Sequence, residues 1–402
     1  MDYRQLRYFI AVAEELSFSR AAKRLHVSQP PLSTQIKAME EELGTQLLSR
    51  TRRAVALTQA GQLLLEHARR AVSELDLASE TVRRAARGEA GAVESAGWAA
   101  AAKAWGPGNA LASAALTGAY FMPTSLVQKV TDVARAIVGA DTMPEYRPEL
   151  SKGGKIRSRA FGTRVGAPGV EPSGVFVPAC VNSMFGPQGE GVGASAAFAK
   201  LAERAGVALV VPEGIDGMCC GTPWTSKGMA TGHEIMQRKV RDQLIAATDG
   251  GRLPVVVDAS SCTHGFRDML EGIGIDVIDA IEFVDQHVVD KLNVKRKVDS
   301  VTLHPTCSAT HLGIVDTLKR VASAAAEDVR VPAEWNCCGY AGDRGMLHPE
   351  LTHAATKREA EEAAQLHSAC HASSNRTCEL GLTAATGEDY EHVLEILERV
   401  SR

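Results

Sequence analysis

The chain has 402 residues, of which 45% are hydrophobic and 23% are charged, and its formal net charge is −4. This is the composition of an ordinary globular protein with room for two or three domains. No apolar run approaches the ~18–20 residues that span a bilayer, and the charged start of the chain is not a signal peptide. The sequence therefore predicts a cytoplasmic protein without membrane insertion. Nine cysteines in such a reducing compartment indicate metal or redox roles rather than disulfides.

The charge is distributed unevenly along the chain. Residues 1–90 carry a net charge of +3, and the remaining residues carry −7. A basic front on an acidic remainder is typical of a nucleic-acid-binding domain attached to a domain with another role.

The first sixty residues predict a helix-turn-helix. Apolar residues at helical spacing, from Leu6 to Leu16, predict a first helix; Ser17 and Ser28 are candidate N-caps of a second and a third. The third helix opens with two prolines and has a polar outer face near its N-terminus, which is where major-groove reading needs hydrogen-bonding groups. Basic residues flank a short predicted strand, Val55–Leu57, as in a wing near phosphates. The candidate DNA-binding residues are Gln29, Pro30, Ser33, Thr34, Lys37, Arg50, Arg52 and Arg53.

The same segment resembles the N-terminal domain of LysR-type transcriptional regulators. The resemblance rests on the run from Phe18 to Ile36, on Glu41-Glu42-Leu43-Gly44 and on Leu57-Thr58-Gln59-Ala60-Gly61. It implies a winged helix-turn-helix over residues 1–58, a linker and dimerisation helix over 59–88, and a homodimer on double-stranded DNA. Thr34 stands where many members carry arginine, so the resemblance implies no operator preference. The two-lobed effector-binding domain of such regulators has no counterpart in the remaining sequence.

Residues 89–173 form a predicted helical connector without a ligand constellation. From Gly174 onwards, short β-branched runs alternate with helical stretches, which predicts an α/β architecture with mostly parallel strands. The predicted strands are Val175–Val177, Val207–Val211, Val255–Val257, Ser300–Leu303 and Val329–Val331. The predicted helices are Gly193–Ala205, Met229–Thr248, His311–Ala325, Pro349–Gln365 and Glu388–Ser401.

Eight of the nine cysteines follow one duplicated plan: a single cysteine, a Cys-Cys-Gly doublet and a further single cysteine. The first copy comprises Cys180, Cys219, Cys220 and Cys262, and the second comprises Cys307, Cys337, Cys338 and Cys378. Because several of these cysteines follow predicted strands, the ends of parallel strands can bring them together. Four thiolates satisfy a [4Fe–4S] cluster or a tetrahedral zinc ion, so we predict one metal centre in each copy. Cys370 is left over and is predicted to be an unpaired thiol.

This half of the chain resembles the cysteine-rich, or CCG, domain. The motifs are Phe176–Asn182, Cys219–Trp224, Asp258–Cys262, His304–Ser308, Cys337–Gly345 and Ser373–Glu379. That domain occurs in the heterodisulfide reductases, in anaerobic glycerol-3-phosphate and lactate oxidation proteins, and in FAD-linked D-lactate dehydrogenases, which the chain resembles most. The resemblance implies CCG repeats over 174–299 and 300–402. The fuller pattern ends in Cys-x-x-Cys, but Ala259 and Asn375 replace the first of those cysteines here, which favours a cubane cluster or zinc over a noncubane cluster.

The sequence leaves three interpretations open. The first is a LysR-like transcription regulator whose effector domain is replaced by an iron–sulfur module for redox or metal sensing. The second is an electron-transfer component of a D-lactate or 2-hydroxy-acid dehydrogenase, which would need a separate flavoprotein because no FAD site is visible in this chain. The third is a non-physiological fusion of the two genes. We rank regulation first because the DNA-binding segment is complete whereas the enzyme lacks its flavin module.

Overall fold

The computed structural model describes residues 2–25, 27, 29–50, 55–65, 67–69, 71–72, 92–139, 143–189, 191–340 and 342–402. The chain divides into two compact units, Met1–Gly91 and Ala92–Arg402, which we call the head and the body. The finer division into a linker helix, a connector and two repeats stays a prediction.

The described residues of the head form three helices, a two-stranded hairpin and a further helical segment. The helices are α1 (Tyr3–Glu15), α2 (Phe18–Arg24) and α3 (Gln29–Leu43), and the strands are β1 (Leu48–Arg50) and β2 (Val55–Leu57). The side chain of Ser17 caps α2, as its sequence position predicts, by accepting from the backbone N–H of Arg20. Residues 59–65, 67–69 and 71–72 are helical and contribute Ala68 to the core around Phe9 and Ile36.

The body combines helices with two separate sheets. Its strands are β3 (Arg164–Gly166), β4 (Val175–Val177), β5 (Ala208–Val210), β6 (Val255–Val257), β7 (Val277–Asp279), β8 (Val298–Leu303), β9 (Ala326–Arg330), β10 (Cys370–Ser373) and β11 (Tyr390–His392). Its α-helices are Ala92–Lys103, Trp105–Tyr120, Thr124–Val138, Arg157–Phe161, Cys180–Met184, Ala194–Arg204, Thr222–Thr225, Ala230–Ala247, Ser260–Leu270, Ala280–His287, Cys307–Leu312, Val315–Ala325, Arg344–Leu347, Pro349–Leu366, Arg376–Thr386 and Val393–Val400. Two 3₁₀ turns cover Ile215–Gly217 and Val289–Lys291.

Each sheet contains the strands that precede the cysteines of one copy. The first has the strand order β3-β5-β4-β6-β7 and is parallel except for β3, which runs antiparallel along β5. The second has the order β11-β10-β8-β9 and is parallel throughout. The predicted α/β architecture with mostly parallel strands is therefore confirmed. Parallel strands end at a common edge, which gathers the segments that follow them.

One helix of the body exposes an apolar stripe. Leu126, Val130, Val133 and Ile137 recur at helical spacing along Thr124–Val138, and their exposed fractions range from 47% to 77%. Within the described part of the chain, no helix is both long enough and apolar enough to cross a membrane.

Candidate cysteine centres and nucleic-acid interface

The first cysteine quartet forms where the first sheet's strands end. Three residues after the end of β4, Cys180 opens the short helix Cys180–Met184, and Cys262 lies in the helix that follows β6. The doublet Cys219-Cys220 follows the turn Ile215–Gly217, and all four side chains are buried. The sulfur of Cys180 lies 3.6 Å from that of Cys219. Hydrogen bonds continue from Cys219 to Cys220 and on to Cys262, so the four thiols form one chain.

The second quartet repeats this placement. Cys307 opens a short helix after β8, and Cys378 lies in the helix after β10. The sulfur atoms of Cys338 and Cys378 are 3.0 Å apart, and Cys337 links Cys338 to Cys307. Cys338 and Cys378 are buried, whereas Cys307 is half-buried and Cys337 is exposed. The duplicated cysteines are thus brought together copy by copy, and the second quartet alone reaches the surface. Cys370 belongs to neither quartet; Arg399 donates to its sulfur at 3.6 Å.

Both doublets depend on a left-handed glycine. Gly221 has φ +83° and Gly339 has φ +68°, a region that side-chain-bearing residues rarely adopt. A second glycine, three residues after the last cysteine of each copy, is also duplicated. A β-carbon at Gly265 would come within 2.5 Å of the carbonyl oxygen of Cys220, and one at Gly381 would lie 3.9 Å from that of Cys338. The shared Cys-x-x-Gly spacing is visible in the sequence, and our sequence reasoning missed it.

In the first quartet, cysteines with lowered pKa values alternate with cysteines whose pKa values are raised. Hydrogen bonding from Cys219 lowers the pKa of Cys180, and donation from Cys219 and Cys262 holds the pKa of Cys220 well below its ordinary value. Burial first, and then the hydrogen bonds to Cys180 and Cys220, raise the pKa of Cys219. The bond to Cys220, together with burial, raises that of Cys262. Four buried thiolates cannot coexist without a cation, because each negative charge raises its neighbours' pKa values.

A buried arginine supports the first quartet, and sequence reasoning missed it. Arg157 is 2% exposed and donates to the carbonyl oxygens of Pro178 and Met218, both at 2.9 Å. Pro178 lies two residues before Cys180, and Met218 immediately precedes Cys219, so one guanidinium joins both cysteine segments. No carboxylate pairs with Arg157 among the described residues, and its charge contributes to the lowered pKa of Cys180. Arg157 lies in the segment that the sequence marked only as a connector.

A buried histidine lies beside the second quartet. His304 is fully buried, and its Nδ1 lies 2.7 Å from Oε1 of Glu359. Burial favours the neutral ring, but Cys378 and Glu359 outweigh that effect and raise the pKa of His304 to about 10. In turn, Cys338, acting against burial and together with His304, lowers the pKa of Cys378 to about 6. Our sequence reasoning left this histidine out, because isolated histidines are more often structural than functional.

The donor chemistry fits a thiolate-bound metal. Each quartet offers four sulfurs beside one buried cation, and a metal would replace the protons of the thiols whose pKa values are raised. Among the described residues, no group of three or more His, Cys, Asp or Glu side chains is arranged to hold a metal ion. The cysteine side chains instead form hydrogen bonds with one another. Loading would therefore require the sulfur atoms to move apart.

The head presents the predicted polar row on α3. Gln29, Pro30, Thr34 and Lys37 are exposed and Ser33 is half-exposed, while Leu32, Ile36 and Met39 on the opposite face are fully buried.

Local contacts orient part of this row. Oε1 of Gln29 accepts from the hydroxyl of Ser19 at 3.1 Å, and the hydroxyl of Thr34 donates to the carbonyl of Pro30. Lys37 pairs with Glu41 at 3.8 Å in solvent. Arg50 ends β1, whereas Ser28, Arg52 and Arg53 and most of the predicted linker helix lie outside the described residues.

Fold and site together define a helix-turn-helix protein that carries a duplicated cysteine-rich module. The family model "Bacterial regulatory helix-turn-helix protein, lysR family" matches residues 3–62, and "Cysteine-rich domain" matches residues 176–267 and 301–383. The chain thus joins a LysR-family helix-turn-helix to the two repeats of a CCG domain, as the sequence motifs predict.

Curated transcriptional regulators match 22% or 23% of this chain. The HTH-type transcriptional regulator AlsR of Bacillus subtilis (strain 168) is 55% identical over 91 residues, which are 23% of this chain and 30% of AlsR. ClcR of Pseudomonas putida is 53% identical over 91 residues, 31% of its length. The chain thus spans about 30% of the length of these relatives. A solved complex of the CbnR DNA-binding domain with DNA is 50% identical and covers 21% of this chain and 99% of that one, with a TM-score of 0.21.

Proposed function

We propose that the chain is a DNA-binding transcription regulator whose iron–sulfur CCG module takes the place of the LysR effector domain. The observation that carries this proposal is the exposed polar row of α3, on a head that matches the LysR family over residues 3–62. Side chains on such a face can read base edges in the major groove. CbnR, a relative by sequence, has been crystallised with its target DNA. We extend this to the present chain as a homodimer, formed through the 59–88 helix, on duplex DNA in the cytoplasm.

We further propose that each cysteine quartet binds one metal centre, preferably a [4Fe–4S] cluster, with zinc as the alternative at one site. The support is the duplicated set of four sulfurs, each beside a buried basic side chain, Arg157 or His304. When bound, such a cluster relays single electrons. The residues of this chain would supply the thiolate ligands, compensate their charge and exclude water from the first quartet.

Metal analysis after anaerobic isolation tests the cofactor. Cys220→Ser and Cys338→Ser should each remove about half of the bound iron, because the two quartets share no ligand. Cys370→Ser is the matched control and should remove none. Finding zinc in one quartet would identify the alternative centre, and finding no metal in the wild-type chain would refute the proposal.

Operator affinity tests the regulatory role. The dissociation constant for duplex DNA should differ between the oxidised, reduced and metal-free protein, because a sensor must bind DNA differently in its different states. The Cys220→Ser variant should respond less than the wild type to the same treatments. Equal affinities in all three states would leave the body without a regulatory role.

A second function, electron transfer with a flavoprotein donor, is favoured by the exposed apolar stripe Leu126–Ile137. Exposed apolar surface of this kind is typical of protein contacts. A chain acting in this way would need the flavoprotein for turnover, since clusters alone do not accept a hydride. Reduction of a dye by D-lactate with the isolated chain would overturn this expectation and favour an enzyme.

A further inference from the structure

The body contains a cavity of about 420 Å³ that the cysteine quartets do not occupy. It is lined by residues of the helix Trp105–Tyr120, of the short helix Arg157–Phe161 and of the turn Ile215–Gly217, together with Lys103, Ser183 and Lys239. Small-molecule sites typically measure ~300–1,000 Å³, so a small organic molecule fits this space.

The wall of the cavity is strongly basic. Lys103, Arg157, Arg159 and Lys239 face a single acidic residue, Asp216. The carboxylate of Asp216 is already engaged, because it accepts from the backbone N–H of Ser158 at 3.0 Å and from the Ser158 hydroxyl. A concave surface with this excess of positive charge concentrates anions.

Three of these cations lack a partner. Lys103, Arg159 and Lys239 make no ion pair with any residue that the structure describes. Lys239 lies close over the turn, since a β-carbon at Gly217 would collide with its Nζ. Its partial burial and the charge of Arg157 lower the pKa of Lys239. An anion in the cavity would offset the repulsion between the positive charges of Lys239 and Arg157.

A buried acceptor in the same cavity also lacks a partner. Asn109 is 6% exposed, and its Nδ2 donates to the carbonyl oxygen of Cys180 at 3.3 Å. Its Oδ1 is buried without any donor among the described residues. Leaving a buried acceptor unsatisfied costs ~1–3 kcal/mol, and a hydroxyl group on a ligand would satisfy it.

We propose that this cavity binds a small organic anion that carries a carboxylate or phosphate group next to a hydroxyl. Lys239, Arg159 and Lys103 hold the charged group, and Asn109 accepts from the hydroxyl. None of its lining residues is a cysteine, so anion binding here does not require the metal centres proposed above. Asn109 also donates to the carbonyl oxygen of Cys180, so this side chain connects a bound anion to the segment that carries the first quartet.

Calorimetric titration of the full chain in low-salt buffer tests the site with three probes: malate, succinate and inorganic phosphate. Malate and succinate carry the same two carboxylates and differ by one hydroxyl, so malate should bind more tightly. Tighter binding of phosphate than of malate would identify phosphate as the preferred charged group. Weaker binding of phosphate would identify a carboxylate. Absence of saturable heat with all three probes would refute the site.

Variants separate a built site from general attraction of anions. The double variant Lys239→Gln with Arg159→Gln should weaken malate binding by about tenfold or more, the usual effect of losing a charge-assisted hydrogen bond. Lys319→Gln, an exposed lysine on the helix Val315–Ala325, is the matched control and should bind like the wild type. Asn109→Ala should abolish the preference for malate over succinate. Equal affinities of the double variant and the wild type, or equal affinities for malate and succinate in the wild-type chain, would contradict the assigned roles.

Discussion

Gly265 shows how closely single residues are fitted around the first quartet. This glycine lies inside the helix Ser260–Leu270, where alanine would ordinarily be favoured by ~0.5–1 kcal/mol. The approach of the Cys220 carbonyl explains why a glycine is present. The helix that carries Cys262 can pack against the doublet only if this position has no side chain.

Gly265→Ala should therefore reduce bound iron to about half that of the wild type, because the added methyl group displaces Cys220. Gly381→Ala, at the duplicated position, should have a smaller effect, since its nearest contact is the Thr352 Cγ2 at 3.0 Å rather than a carbonyl at 2.5 Å. Gly97→Ala is the control, because it is helical and has nothing within 4 Å. It should leave iron unchanged, and an equal loss in Gly97→Ala would contradict the steric explanation.

His392 makes stability depend on pH. It is buried at the N-cap of the helix Val393–Val400, where its ring accepts from the backbone N–H of Leu394, and burial lowers its pKa to about 4. The unfolded chain binds a proton near pH 6.5 whereas the folded chain does not, so stability is present above pH 6.5 and is lost as the pH falls towards 4.

Between pH 7 and pH 5 this residue should cost the wild type about 2 kcal/mol of unfolding free energy. His392→Asn retains a capping acceptor without a titrating group and should lose correspondingly less over the same interval. Urea-induced unfolding at both pH values measures the difference. If both proteins lose stability equally, His392 is not the titrating group.

Among the elements, α3 leads to the most direct prediction about DNA binding. Its exposed row contains a side chain suited to bases, Gln29, and one suited to phosphates, Lys37. These two kinds of contact affect DNA binding differently, since base contacts give sequence preference and phosphate contacts give salt dependence.

Gln29→Ala should cost ~1–3 kcal/mol on the operator and little on unrelated duplex DNA. Lys37→Gln should weaken binding to both DNAs alike and lower the slope of log K against log salt by about one. Fluorescence anisotropy over a series of salt concentrations measures both effects, and Lys319→Gln in the body serves as the control. If Gln29→Ala lowers the affinity for the operator and for unrelated DNA equally, Gln29 does not read bases.

The elements also show what the sequence can predict. The strands β4 and β6 occur at the predicted residues because three consecutive valine or aromatic residues identify a strand buried on both faces. The strands β1, β3, β7, β10 and β11 were not predicted, since they are short and contain polar residues such as Arg164, Asp279 and His371. Their strand conformation comes from pairing with neighbours, which local sequence does not encode. The expected helix Glu388–Ser401 accordingly begins later, at Val393, after β11.

The residues of the candidate sites were also predictable only in part. The duplicated spacing of the cysteines was sufficient to group them into two quartets. Arg157 and Asn109 were not predictable, because their roles depend on contacts with residues 21 and 71 positions away in the chain. A buried polar residue has no signature in a single sequence until its partners are known.

For the whole molecule, the apolar stripe on Thr124–Val138 predicts association. Val133 and Ile137 are 61% and 77% exposed, and neighbouring apolar side chains on one helix face favour contact with other molecules. The double variant Val133→Glu with Ile137→Lys should raise solubility and reduce concentration-dependent association, measured by sedimentation velocity. Iron content and DNA affinity should not change. Unchanged sedimentation would show that the stripe does not drive association.

The aromatic residues of the body have a consequence for spectroscopy. All four tryptophans lie in the body, at positions 98, 105, 224 and 335, and none lies in the head. Trp98 and Trp105 pack against Trp224, four residues after the first doublet, and Trp335 lies 6.3 Å from the ring of His304. Tryptophan emission therefore reports only on the surroundings of the two quartets. Any change in that emission when operator DNA is added must arise in the body, so an ordinary fluorimeter can detect whether the two units communicate.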